Sequence, residues 1–219
     1  MAKIKSNMLN MVVVLTTITA TVGAILGGVY KLTETPIAQA NARAQEEAIR
    51  IVAPDFDNNP IAESDTIESG GQEIVVYPAM KNGAAVGAAV KASSRNGFNG
   101  EITIIVGFEQ DGTVRQYRVL SHGETPGLGA KMEQWFRTDK NRQNIIGKHP
   151  EKTNFTVSKD GGDIDAITAS TITSRAFLEA VSNAYKAYMD KPIDVMSGSS
   201  KKLPNDTTTQ THNEEEVMQ

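Results

Sequence analysis

The sequence predicts an α+β protein, a single N-terminal transmembrane helix followed by a mainly antiparallel sheet with flanking helices. Three observations predict it. The stretch Met8 to Tyr30 is apolar and free of charge between Lys5 and Lys31, about the ~20 residues that a helix needs to cross a bilayer. Between Glu73 and Ser121 four short segments rich in apolar and β-branched residues are separated by turn signals. From about Thr173 to Met189 the period changes to 3.6, with Phe177, Val181, Ala184 and Tyr188 on one face.

The N-terminal run comes first in the chain. Thr16, Thr17, Thr19 and Thr21 are tolerated in lipid because their hydroxyls can bond back to helix carbonyls. Gly23 and Gly27 stand in GxxxG register and Gly28 adds to a small-residue stripe that suits contact with another membrane helix, or ordinary membrane-helix composition. The run is longer than the apolar centre of a signal peptide, about 7 to 15 residues, and leads into Lys31-Leu-Thr-Glu-Thr-Pro36 without a cleavage pattern. An uncleaved anchor is expected. Lys3 and Lys5 place the N-terminus in the cytoplasm and the rest of the chain outside it, in the inner membrane and periplasm.

Beyond the anchor, Pro36 can open a helix over Ile37 to Pro54, a segment rich in Ala, Gln, Glu and Arg. Asp55 to Gln72 is polar, punctuated by Asn58-Asn59-Pro60 and Gly70-Gly71, and reads as a loop. Strands are expected over Glu73 to Met80, Ala85 to Ser93, Glu101 to Gln110 and Thr113 to Ser121, with hairpin turns at Asn82-Gly83 and Asp111-Gly112. A loop at 122–129 leads to a short helix around Lys131 to Phe136. Asn154 to Val157 suits a short strand, 159–162 a turn and Ile164 to Ile167 an extended segment. The chain after Ser197 has almost no apolar residue and reads as a disordered tail. The organisation is therefore 1–7 cytoplasmic N-terminus, 8–30 transmembrane helix, 31–72 helical and loop connector, 73–192 folded domain, 193–219 tail.

Composition narrows the function. The chain has 219 residues and a net charge of -4 with no basic stripe, so nucleic acid is not an expected partner. Cysteine is absent, which removes disulfides, thiolate metal sites, iron-sulfur ligation and thiol nucleophiles. Any redox chemistry must come from a cofactor held some other way. His122, His149 and His212 are scattered, so no metal site is expected, and His122 reads as a loop contact.

Two segments carry the candidate site. Asp165 to Phe177 (DAITASTITSRAF) sets Thr168, Ser170, Thr171, Thr173 and Ser174 where an extended segment becomes a helix. Free N–H groups at a helix start favour an anion such as phosphate, although a plain Ser/Thr helix cap explains the same hydroxyls. The loop HGETPGLG at 122–129 is a stiff turn with exposed backbone amides, in which Glu124 and Thr125 add polar contacts, or a plain surface turn. Trp135 and Phe136 suit either a cofactor stack or the core.

The run from Asp165 resembles the flavinylation motif of the family that includes the G subunit of the Rnf electron-transport complex and the C subunit of the sodium-pumping NADH:quinone oxidoreductase. The family pattern is Asp, two residues, Ser/Thr-Gly-Ala-Thr, one residue, Thr/Ser. Asp165, Thr168, Thr171 and Thr173 match; Ala169 replaces the glycine and Ser170 the alanine. A Cβ at position 169 is unfavourable if the backbone takes a positive φ, and Ser170 sets a second hydroxyl beside the acceptor. HGETPGLG resembles the family's HxETPGLG loop, and GFNGEITIIVGF at 97–108 its glycine-rich lead-in to a central strand. Together the similarity covers the anchor and roughly residues 70 to 190.

The resemblance implies an FMN-binding domain on one membrane helix, with FMN esterified through its phosphate to Thr171. Asp165, Thr168, Ser170 and Thr173, and on the loop Glu124, Thr125, Gly127 and Leu128, would surround the cofactor. It also implies a separate flavin transferase that uses FAD and magnesium, partner proteins in the membrane, and electron relay in a translocase of the ferredoxin:NAD+ oxidoreductase type. The homologous quinone-reductase component, a stand-alone extracytoplasmic flavoprotein and a membrane-tethered binding module remain alternatives.

Overall fold

The computed structural model describes residues 8–69 and 71–190. The expected N-terminal segment 1–7 with Lys3 and Lys5, the end of the 73–192 domain, the tail 193–219 and His212 lie outside the described residues.

Helix α1 runs unbroken over Met8–Val52, where the sequence predicts a transmembrane helix and then a second helix starting at Pro36. Pro36 costs the chain one N–H donor to the preceding turn. Nothing between Lys31 and Thr35 is a helix stop, and the continuation is rich in strong helix formers, so the helix carries through. Hydroxyls in its N-terminal part bond to carbonyls one turn back, Thr17 to Val13 O at 2.7 Å and Thr21 to Thr17 O at 2.7 Å. The most apolar stretch of α1 is long enough to span a membrane and none of it is buried against the rest of the chain.

The sheet is a five-stranded antiparallel meander in the order β1 (Asp65–Ser69), β2 (Gln72–Lys81), β3 (Ala84–Gly97), β4 (Gly100–Glu109), β5 (Val114–Ser121). Asn82 and Gly83 both take positive φ, 53° and 77°, the requirement of the tight turn between β2 and β3. Strand β1 lies in the segment expected to be a loop. It pairs Asp65↔Val76 through Ser69↔Gln72 along the sheet edge, and edge pairing needs backbone more than apolar side chains.

Both faces of the sheet are covered, which is why its central strands read as nearly continuous apolar runs. On one face Ile102, Ile104, Val106 and Phe108 of β4 join Val90 and Tyr117 in a core with helix α3 (Thr171–Asp190), to which Phe177, Val181, Ala184 and Tyr188 contribute. Phe177 stacks on Phe136 at 4.5 Å between ring centroids, and burying such a side chain contributes about 1.5–3 kcal/mol. On the other face Val75, Tyr77, Ala89 and Ile105 pack against Ala48, Ile49 and Val52 at the end of α1. Gly107 permits this approach, since a Cβ there would run into the Val52 carbonyl. The last turns of the long helix are thus a layer of the domain.

The chain between β5 and α3 is short pieces: a 3-10 turn at Gly129–Lys131, helix α2 (Met132–Trp135) and a 3-10 turn at Ser158–Asp160. The strand-like segments expected at 154–157 and 164–167 meet only in a single parallel bridge, Val157↔Ile164.

Candidate functional site

The start of α3, the 122–129 loop and the β3–β4 turn converge on one cavity of about 330 Å³, within the usual range of about 300–1,000 Å³ for small-molecule sites. Glu124, Thr125 and Leu128 form one wall, and Ser170, Thr171 and Thr173 the opposite one. Six residues singled out from sequence therefore meet in one place.

Glu124 is the centre of the loop wall, 5% exposed. Its Oε2 accepts the Thr173 hydroxyl at 2.7 Å and its Oε1 the Asn99 N–H at 3.3 Å. One carboxyl thus ties α3, the β3–β4 turn and the loop together, as a buried carboxyl must be satisfied by donors. The loop is wound tightly around Thr125, whose carbonyl accepts from both Leu128 and Ala130 N–H at 3.2 Å. Gly129 fits where no side chain would, because a Cβ would stand 2.5 Å from Glu124 Oε2 and 2.8 Å from Thr173 Oγ1. His122 accepts the Glu124 N–H on Nδ1 at 3.1 Å and presents Nε2 to Glu133 at 3.5 Å, the geometry of a loop contact.

The opposite wall, which carries the expected acceptor Thr171, is built differently. The Ser174 hydroxyl accepts the Ile167 N–H at 2.9 Å and donates to the Ser170 carbonyl at 2.9 Å, which fastens the first turn of α3 to the segment before it. Ser170 is buried at 9% exposure, whereas Thr171 is half-buried. The Thr171 hydroxyl meets Lys159 Nζ at 3.4 Å. Ala169 takes φ +63°, the left-handed region in which a Cβ costs roughly 1–2 kcal/mol.

Three expected site residues lie elsewhere. Asp165 is outside the cavity lining: it pairs with Arg142 at 3.3 Å, and its backbone carbonyl accepts Trp135 Nε1–H at 2.9 Å. The Ser158 hydroxyl, and then Arg142, hold its carboxyl below the ordinary aspartate value. Thr168 is exposed and does not line the cavity. Gly127, with Pro126, faces a second cavity on the other side of the loop, and Trp135 lines that cavity as well. Phe136 is fully buried. Successive pairs of loop residues serve opposite sides, Glu124-Thr125 and Leu128-Gly129 the first cavity and Pro126-Gly127 the second.

The structure adds residues that sequence reading missed. Phe98 and Ile172 complete the apolar part of the cavity with Leu128; they are 65%, 47% and 42% exposed. Large apolar side chains exposed together around a concavity mark a binding site. Phe98 carried a signal, an aromatic residue between two glycine-bearing turn positions, but Ile172 reads simply as a helix residue. Exposed apolar rims on a cavity lined by Thr171, with Lys159 Nζ against that hydroxyl just outside the lining, fit a planar ring system with an anionic arm, and so fit a flavin mononucleotide.

Residues 97–186 match the family model described as FMN-binding domain, and this span contains both walls of the cavity. The class is thus an FMN-binding domain. Among curated relatives, the chain is 38% identical over 153 residues to the G subunit of the ion-translocating oxidoreductase complex of Salmonella typhimurium, covering 65% of this chain and 73% of that protein. It is 34% identical over 169 residues to the protein of the same name in Escherichia coli, covering 73% and 81%. The chain belongs to this family, the G subunits of ion-translocating oxidoreductase complexes. Against the Aliivibrio fischeri relative, 41% identical over 126 residues, the match takes in 55% of this chain and spans only 59% of that protein's length.

Proposed function

We propose that this chain is the membrane-anchored electron-transfer component of an ion-translocating ferredoxin:NAD+ oxidoreductase of the Rnf type, with FMN joined through its phosphate to Thr171 Oγ. The observation that carries this reading is the placement of Thr171: a half-exposed hydroxyl on the cavity wall, opposite the Glu124 loop and beside a lysine. Ser170, the neighbouring hydroxyl, is the more buried of the two.

Bound in this cavity, FMN supplies the redox chemistry, and protein contacts tune its potential. Phe98, Leu128 and Ile172 offer apolar surface to its ring system and exclude water, while Thr125 and the amides of the loop offer polar contacts. A covalent tether suits an extracytoplasmic site, where dissociated cofactor would be lost. The chain presents Thr171 as a substrate for a separate transferase that uses FAD and magnesium. Helix α1 anchors the domain to partner proteins in the inner membrane, with Lys3 and Lys5 on the cytoplasmic side and the FMN domain in the periplasm. Since a helix rises 1.5 Å per residue, the stretch of α1 between Tyr30 and Gln45, which bonds to Tyr77 of the sheet, spans about 22 Å and holds the domain off the membrane surface by up to that length.

In-gel fluorescence of the denatured full-length chain, coproduced with a flavin transferase, tests this reading. Wild type and Ser170→Ala are expected to retain fluorescence and Thr171→Ala to lose it completely. Persistent fluorescence in Thr171→Ala overturns the attachment site, and a dark wild type overturns the covalent reading.

A further inference from the structure

Three consecutive side chains of the 3-10 turn at 158–160 reach the segment that carries Thr171. Ser158 lies near enough to the Asp165 carboxyl to lower its pKa, Lys159 Nζ stands 3.4 Å from Thr171 Oγ1, and Asp160 holds Arg175 through two contacts of 2.6 and 2.8 Å. Two of the three are satisfied within the protein. Lys159 is held more loosely: among the described residues it forms no ion pair within 4 Å, and its charge acts only at longer range on the Asp160 carboxylate, whose direct bonds go to Arg175. A lysine loses rotamer entropy when its stem is held in one place. A contact to a neutral hydroxyl does little to offset that loss, whereas a charge-assisted bond to an anion does.

We propose that Lys159 is the positioning residue for the phosphate end of the cofactor, its ammonium donating to the phosphate oxygens both while Thr171 is being modified and afterwards. This rests on the reading of Thr171 as the attachment point. In the transfer, Thr171 Oγ forms a bond to the phosphorus of the FMN half of FAD. The bond from that phosphorus to the oxygen bridging it to AMP breaks, and AMP departs. The hydroxyl proton passes to a base of the transferase, and no electrons change hands. The product phosphodiester carries one negative charge within reach of Lys159. Arg175 is instead turned toward Asp160 by its Nε and Nη2. The turn sets the reach of Lys159, since Ser158 and Asp160 fix it on either side.

The test uses the full-length chain with transferase, FAD and magnesium, following incorporation over time by intact mass and locating the label by peptide mapping. Lys159→Gln is expected to slow incorporation at Thr171 by about tenfold, the scale of one charged hydrogen bond, and Lys159→Arg to restore most of the rate. Lys159 is exposed, so the melting temperature of the unlabelled chain should match wild type in both variants. An unchanged rate in Lys159→Gln, or a loss that Lys159→Arg does not restore, overturns the proposal. Failure of the attachment reading is separate and shows in the wild type itself, as no label or as a label that maps away from Thr171.

Discussion

On the loop wall of the cavity the central tie is a buried carboxyl, Glu124, whose oxygens receive the Thr173 hydroxyl and the Asn99 N–H. On the acceptor wall the buried Ser174 hydroxyl holds the first turn of α3, the flanking ties are ion pairs at the surface, Asp165 with Arg142 and Asp160 with Arg175, and one residue, Ala169, sits in a strained backbone region. Buried, fully satisfied hydrogen bonds are costly to break because the partners are left without water. Exposed ion pairs contribute little, because water screens them. The loop wall is therefore the more rigid of the two, and the edges of the acceptor wall, outside its Ser174 bridge, are the parts that can yield.

Glu124→Leu attacks the rigid wall and carries the largest expected effect. It strands the buried Thr173 hydroxyl, at a cost of about 1–3 kcal/mol, and leaves the Asn99 N–H to water on an exposed turn, so unfolding free energy should fall by about 2 kcal/mol. Glu124→Gln keeps an acceptor and should lose less than half of that. Urea denaturation, with the slope compared to wild type to verify that the same surface is exposed, checks both. A loss below about 1 kcal/mol for the leucine variant would show that the loop holds its shape without the carboxyl.

These walls differ in how far the sequence discloses them. HGETPGLG is legible because glycine and proline at close spacing dictate a turn, and the Thr168 to Ser174 hydroxyls are legible because they cluster at a change of period. Strands β2 to β5 show as apolar runs punctuated by Asn82-Gly83 and Asp111-Gly112, since both sheet faces are covered. Strand β1 does not, because an edge strand of the composition Asp-Thr-Ile-Glu-Ser leaves only Ile67 partly buried. The continuity of α1 is hidden by Pro36, a local signal overridden by its neighbours. Lys159 and Ile172 are invisible as site residues, since nothing local relates position 159 to 171; the Val157↔Ile164 bridge and the turn at Gly161 bring them together. Gly127 shows the converse, a residue of the right motif on the far side of the loop.

Ala169→Gly probes the strain of the acceptor wall. At φ +63° the alanine costs roughly 1–2 kcal/mol. Glycine removes this but adds freedom to the unfolded chain, worth about 0.4–1 kcal/mol. The net expectation is a stabilisation of up to about 1 kcal/mol, read as a higher urea midpoint at unchanged slope. If glycine lowers the midpoint, the left-handed turn is not a source of strain, and the substitution relative to the family pattern is without cost.

Asp165→Asn probes the surface ties and should change least at neutral pH. The Asp165–Arg142 pair is partly exposed, and a pair of that kind contributes about 0–1 kcal/mol. Its signature is in the pH dependence. The Ser158 hydroxyl, followed by Arg142, lowers the folded-state pKa of Asp165 below its ordinary 3.8. A depressed folded pKa means that the unfolded chain binds the proton more readily, so the stabilisation is fully present above the ordinary value and is lost as pH falls through the folded one. Wild type should thus lose a small increment of stability below about pH 4 that Asp165→Asn lacks, so that the two denaturation curves differ slightly at neutral pH and converge in acid. Curves that stay parallel down to pH 2 would mean that the aspartate contributes by shape alone. The acceptor wall would then depend on the Ser174 bridge and the Asp160–Arg175 pair.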